Sequence, residues 1–187
     1  MEHQNSDAKE RIINSVIKLL LEQQSINRIT IREIAKEADV NSALINYYFQ
    51  SKENLLNKAV EICMTNIASQ LYFKNAENID PIIRLKKTIK KISTFAFNNY
   101  FLSEMAISTE LKNGSLTTTQ MILPLLREVF NEKKTESELK LIALQLIGPL
   151  QIMFLNAKEY KIYLTTDIFN EKQRNEMLDK IVENILK

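Results

Sequence analysis

Residues 30–52, TIREIAKEADVNSALINYYFQSK, read as two short helices that meet at a tight corner and run at once into a third. Thr30 is an N-cap residue, and Glu33 three positions on completes a capping box, in which each side chain satisfies an orphan amide of the helix start. Ile31, Ile34, Ala35 and Ala38 recur at helical spacing, which leaves Arg32, Glu33, Lys36 and Glu37 for solvent or a partner. Ala38, Asp39 and Val40 form the corner, where aspartate tolerates the left-handed backbone better than most residues. Asn41 offers a second cap, and Ser42 to Tyr48 makes about two turns anchored by Leu44 and Ile45. This is a helix-turn-helix, an arrangement whose second helix lies in the DNA major groove.

The flanks supply what such a pair lacks. Upstream, Ser6 or Asp7 caps a first helix whose Ile12, Ile13, Val16, Ile17, Leu19, Leu20 and Leu21 form a broad apolar face. That face covers Ile34, Ala35, Val40, Leu44 and Ile45, giving a three-helix head joined through a polar link at 23–28. Downstream, Ser51 caps a long helix from Lys52 to about Tyr72, with Leu55, Leu56, Ala59, Val60 and Cys63 on its buried face.

The pattern Thr30-x-Arg32-x-Ile34-Ala35-x-x-Ala38-x-Val40, followed by Tyr47-x-Phe49-x-x-Lys52-Glu53-x-Leu55, resembles the N-terminal signature of the TetR family of transcriptional repressors. The likeness covers about the first third of the chain. Asp39 stands where that family usually has glycine, and Asn41 where it usually has serine or threonine; both are physically adequate replacements. The resemblance implies an all-α fold of about nine helices. It divides into a DNA-binding domain at 1–52 and a helical ligand-binding and dimerisation domain at 53–187, joined by the long helix. It further implies a homodimer on a double-stranded, pseudo-palindromic operator, released when a small-molecule effector moves that helix.

The rest of the chain reads as helices too. After a polar break at 74–78, Asp80-Pro81 starts a helix to about Asn99 whose Arg84, Lys86, Lys87, Lys90 and Lys91 form a basic run, read as a solvated face in preference to a second nucleic-acid contact. A helix from about Leu102 to Lys112 stops at Asn113-Gly114. The next starts near Ser115–Thr118 and should kink or restart at Pro124. Another spans about Glu136 to Tyr160 with a bend near Gly148-Pro149, and Asn170 caps a last helix to Leu186.

The totals agree with this reading and exclude others. Two glycines and three prolines in 187 residues leave few tight hairpins, and 45% hydrophobic content is ample for a core. The single cysteine excludes an internal disulfide and fits a cytoplasmic setting. No apolar leader or unbroken apolar span appears, so no membrane partner is expected. The net charge of +2 argues neither for nor against nucleic acid, so any DNA binding depends on placement. His3 and Cys63 have no partner at metal or nucleophile spacing, and Gly114 and Gly148 lie too far apart for a phosphate loop. Catalytic residues, cofactors and metal are therefore expected to be absent.

The candidate reading surface is Asn41, Ser42, Ala43, Asn46, Tyr47 and Tyr48. Asparagine pairs with an adenine edge, alanine meets a thymine methyl, and serine reaches several edges or a phosphate. Lys52 and the tyrosine hydroxyls suit phosphate oxygens, with Thr30 and Arg32 on the backbone across the groove. Thr30 and Asn41 serve as caps at the same time. An apolar effector pocket would draw on Phe95, Asn98, Tyr100, Phe101, Met105, Met121, Gln151 and Phe154, all of which read equally as dry core. The dimer seam or its adjoining core would use Leu139, Ile142, Leu146, Leu150, Met153, Met177, Ile181 and Ile185. Two other readings stand beside the regulator: an architectural DNA binder of the same fold without an effector, and a ligand-sequestering protein with a disused helix-turn-helix.

Overall fold

Caps and punctuation set ten α-helices in the computed structural model, which describes the backbone of residues 2–22, 29–71 and 79–187. They are α1 Glu2–Glu22, α2 Ile31–Glu37, α3 Ser42–Phe49, α4 Lys52–Leu71 and α5 Pro81–Asn98, followed by α6 Tyr100–Asn113, α7 Thr117–Phe130, α8 Glu136–Leu155, α9 Ala157–Leu164 and α10 Glu171–Ile185. No strand occurs among the described residues, so the fold is all-α. The links at 23–28 and 74–78 lie outside the described residues.

The chain forms two compact units, Met1–Ser69 with Asn99–Thr109, and Gln70–Asn98 with Glu110–Lys187. In the first, α1 packs on α2 and α3, and α2 on α3. Ile12 and Val16 of α1, Ile34 of α2, Ile45 of α3 and Leu55 of α4 are fully buried, each such side chain contributing about 1.5–3 kcal/mol of burial. In the second, α7 packs on α5 and α8, α10 packs on α5 and α8, and α9 returns against α8. Its core joins Leu85 and Ile89 of α5, Ile122 and Leu126 of α7, Leu139, Ala143 and Leu146 of α8, and Leu178 and Val182 of α10.

Several boundaries differ from the sequence reading. Helix α1 already begins at Glu2, so Ser6 and Asp7 are not its caps; Asp7 instead pairs with Arg11 one turn on, at 3.4 Å. His3 thus lies on helical backbone. Neither Pro124 nor Pro149 divides its helix. The break falls later, at Asn156 (φ −117°, ψ 40°), where the Asn156 amide side chain donates back to the Ile152 carbonyl at 2.9 Å, and this makes α9 a separate helix. Asn113-Gly114 does end α6, with Gly114 at φ 65°, where a side chain would be strained.

The basic run of α5 is a solvated face only in part: Lys87 and Lys91 are exposed, whereas Arg84, Lys86 and Lys90 are half-buried against carboxylates of other helices. Lys86 pairs with Glu183 and Lys90 with Asp179, both at 2.6 Å, while Thr94 donates to Glu171 at 3.0 Å. The α5 numbers rise as the α10 numbers fall, so the two helices run antiparallel with their polar rows in register. Arg84 pairs with Glu128 of α7. Periodicity along α5 shows the cations but not the carboxylates that arrive from other helices.

Candidate nucleic-acid interface

The corner between α2 and α3 is built from local hydrogen bonds. The Thr30 hydroxyl accepts from the Glu33 amide, and the Glu33 carboxylate accepts from the Thr30 amide, so the capping box is complete. Asp39 sits at φ 50°, the left-handed turn expected of it. The Val40 amide then reaches back to the Ala35 carbonyl at 3.0 Å, and the Asn41 side chain accepts from the Ala43 amide at 2.9 Å to start α3. With its caps satisfied, α3 holds its polar face without help from a ligand.

That face is sorted cleanly. Ile45 and Phe49 are buried, whereas Asn41, Ser42, Ala43, Asn46 and Tyr47 are exposed. Tyr47 is 74% exposed, and its ring meets Tyr48 edge-on at 5.2 Å. Half-buried Tyr48 in turn meets Phe49 at 6.3 Å, so a row of rings runs from the surface into the core. Thr30 and Arg32 are exposed on α2, and Lys52 is half-buried in the first turn of α4. All nine candidate reading residues therefore lie on or beside two adjoining helices and the start of a third.

Two supports were not legible in the sequence. Asn54 donates from its side chain to the Phe49 carbonyl at 3.1 Å; together with the Ser51 cap expected from the sequence, whose Oγ accepts from the Asn54 amide at 3.0 Å, this fixes the α3–α4 corner where Gln50 turns at φ 64°. Lys18 of α1 pairs with Glu37 of α2 at 2.5 Å, and that hydrogen bond raises the lysine pKa. The polar S-x-x-N pattern at 51–54 was the only available signal for the first; nothing local signals the second.

The other candidate residues divide between the units. Tyr100, Phe101 and Met105 are half-buried in the first; in the second, Phe95 and Met121 are half-buried, Asn98 is exposed, and Gln151 and Phe154 are buried. Gln151 donates to Glu110 at 3.0 Å, and Glu110 also accepts from the Thr118 amide at 2.8 Å and hydroxyl at 2.6 Å. Glu110 thereby caps α7, whose own N-cap position, Leu116, has no side-chain oxygen to offer. Leu139 and Leu146 take the core alternative, at 4% and 0% exposure within the single chain. Ile142, Leu150, Met177, Ile181 and Ile185 pack half-buried against the same core, and Met153 is half-buried. On α8 the exposed apolar side chains are instead Leu141, Leu144 and Ile152, on the face opposite Leu139 and Leu146. Cys63 is buried, which pushes its thiol pKa up.

A capped corner bearing a short, exposed polar helix on a three-helix core defines a helix-turn-helix DNA-binding domain. Residues 16–59, which hold this corner, match the model of bacterial regulatory proteins, tetR family. Over 73 residues the chain is 37% identical to the "Probable HTH-type transcriptional regulator YttP" of Bacillus subtilis (strain 168); the match takes in 33% of this chain and spans about a third, 35%, of that relative. The whole fold is similar to RolR in complex with resorcinol, with a TM-score of 0.72 and 15% identity over 98% of this chain and 90% of that one. It is similar also to the repressor FadR of Thermus thermophilus in complex with lauroyl-CoA, with a TM-score of 0.67 and 16% identity over 91% and 92% of the two chains.

Proposed function

We propose that this protein is a homodimeric, sequence-specific DNA-binding repressor, released from a pseudo-palindromic operator by a small-molecule effector. The observation that carries the reading is the α3 face: Ser42, Ala43, Asn46 and Tyr47 exposed together on a helix whose ends are already capped. Residues 1–52 form the reader, and residues 53–187 the regulatory and dimerising part. One short helix reads too few base pairs for specificity, so two copies on two half-sites are required. Leu141, Leu144 and Ile152 of α8 support a seam between copies, because they are apolar, share one face and are left uncovered by the chain's own core.

Effector control is supported by the similarity in fold to proteins seen with resorcinol and with lauroyl-CoA. An effector acts only by favouring one separation of the two reading helices over another. The setting is cytoplasmic, where an operator is accessible. By length and composition α8 alone among the described helices could cross a membrane; its Leu139, Ala143, Leu146 and Ile147 lie in the chain's own core.

Mobility-shift titration against the upstream region of the protein's own gene tests the reading. The expected result is tight binding to one pseudo-palindromic site and much weaker binding to scrambled duplex at physiological salt. Equal affinity for both would replace the regulator with the architectural binder.

A further inference from the structure

Arg174 of α10 is the one buried charged residue among the described residues, at 3% exposure. Its Nη1 donates to the Ile168 carbonyl at 2.9 Å and the Phe169 carbonyl at 3.3 Å. Its guanidinium carbon stands 4.3 Å from the centre of the Phe97 ring. Phe97 in turn meets Phe154 edge-on at 5.1 Å and Phe169 at 5.7 Å. Nε is buried and has no acceptor. A buried arginine ordinarily has a carboxylate partner, because desolvating its charge is costly otherwise. Here the two carbonyls occupy Nη1 alone. Burial lowers the guanidinium pKa, an effect that the Glu171 charge partly opposes, yet an arginine stays cationic at neutral pH.

A guanidinium recognises oxyanions with a planar pair of N–H groups, and an aromatic cluster beside it takes an apolar body. We infer that Arg174 anchors the carboxylate of an aryl or acyl acid whose apolar part enters the Phe97, Phe154 and Phe169 cluster. This rests on the effector-controlled reading above and names the chemical class of the effector. Phe169, 45% exposed, is the most exposed ring of the three and is the one a ligand displaces on entry.

The test is calorimetric titration of the full chain with benzoate against benzyl alcohol, and with laurate against dodecanol. One carboxylate of the two pairs is expected to bind about tenfold or more tightly than its alcohol, the advantage of a charge-assisted pair. Arg174→Gln is expected to remove that preference. Should Arg174→Gln fail to fold, Glu171→Gln serves instead: Glu171 is exposed, and losing its charge is expected to strengthen carboxylate binding and leave the alcohol unchanged. The inference is overturned by carboxylates that bind no better than their alcohols, by a folded Arg174→Gln that keeps the preference, or by a Glu171→Gln chain with unaltered carboxylate affinity. The same compounds are added to the operator complex. A carboxylate that binds but releases no DNA removes the effector reading and leaves the anion site standing. A neutral compound that releases DNA while no carboxylate binds does the reverse.

Discussion

Thr30 and Glu33 hold each other across the first turn of α2, the hydroxyl accepting from one amide at 3.2 Å and the carboxylate from the other at 2.7 Å. Both ends of this exchange lie at the surface, so its worth is that of a cap and not of buried charge. Thr30→Ala is expected to cost about 1 kcal/mol in urea unfolding, and Glu33→Ala less. In a double-mutant cycle the two losses should fall short of additivity, since either change breaks the same box. Strict additivity would mean that the two side chains act separately.

On the proposed reading face, positioning and specificity fall to different residues. Asn46 is exposed in the middle of α3, while Lys52 is half-buried at the start of α4. Lys52→Ala is expected to weaken every duplex alike and to lower the slope of log affinity against log salt by about 1 per subunit. Asn46→Ala is expected to change the ranking of operator variants, with about 1–3 kcal/mol lost at the base pair it reads. A selection experiment on randomised half-sites distinguishes them; an unaltered ranking for Asn46→Ala would remove it from the base-reading set.

Lys90 and Asp179 form a pair whose side chains are 30% and 33% exposed, between α5 and α10. Asp179→Ala leaves a half-buried ammonium without its partner, at an expected cost of about 1–2 kcal/mol, between the limits for exposed and buried pairs. Glu183, 55% exposed, holds Lys86 in the neighbouring rung, and Glu183→Ala is expected to change stability much less. Added salt should narrow the difference between the two variants. Equal losses would show that burial does not grade this row.

These rungs mark the limit of what was legible in the sequence. The caps at Thr30, Asn41, Ser51, Asp80 and Asn170 form as read, because each depends on residues no more than three apart. The exposed side of α3 is legible for the same reason, since short helices show it by spacing alone. Partners in other helices were not. The carboxylates for Arg84, Lys86 and Lys90 lie far along the chain, and Glu110 caps a helix to which it does not belong. On α8 apolar residues occur all round, so periodicity did not separate Leu139 and Leu146, which face the core, from Leu141 and Leu144, which do not. Arg174 went unremarked because only tertiary burial distinguishes it from the other charged residues of α10.

Glu138 closes a second capping box with Thr135, at the start of α8. Backbone and side-chain hydrogen bonds from Thr135, with a smaller one from Lys134, hold its carboxyl below the ordinary 4.5. A carboxyl depressed in the folded state contributes stability that is complete above the unfolded pKa and is lost as pH falls through the folded one. Glu138→Gln keeps an acceptor but not the charge. The native chain is expected to be the more stable at neutral pH, with the gap closing below about pH 4. Glu136, held low by Arg127, and Asp167, held low by Lys161, retain their own acid sensitivity in both proteins and cancel in the comparison. A gap that stays constant across this range would show that the Glu138 charge does not matter.

Leu144 is 42% exposed and Leu141 56%, on a helix whose opposite face is already spent on the chain's core. Neither side chain contributes much to the fold of one copy, and with Ile152 they form one exposed apolar face, the kind of patch that marks an interaction surface. Leu144→Glu therefore separates assembly from folding. Thermal unfolding and helical content of the single chain are expected to change little. Light scattering at micromolar concentration is expected to pass from dimer to monomer, because two carboxylates related by the two-fold axis would meet across the seam. Leu146→Glu is the contrasting change: that side chain is fully buried, so a charge there should unfold the chain. Operator affinity should fall steeply for Leu144→Glu, since the two reading helices lose their linkage while each α3 keeps its form. A Leu144→Glu chain that remains dimeric would place the seam elsewhere, and one that is monomeric yet binds the operator as tightly as before would remove the need for two readers.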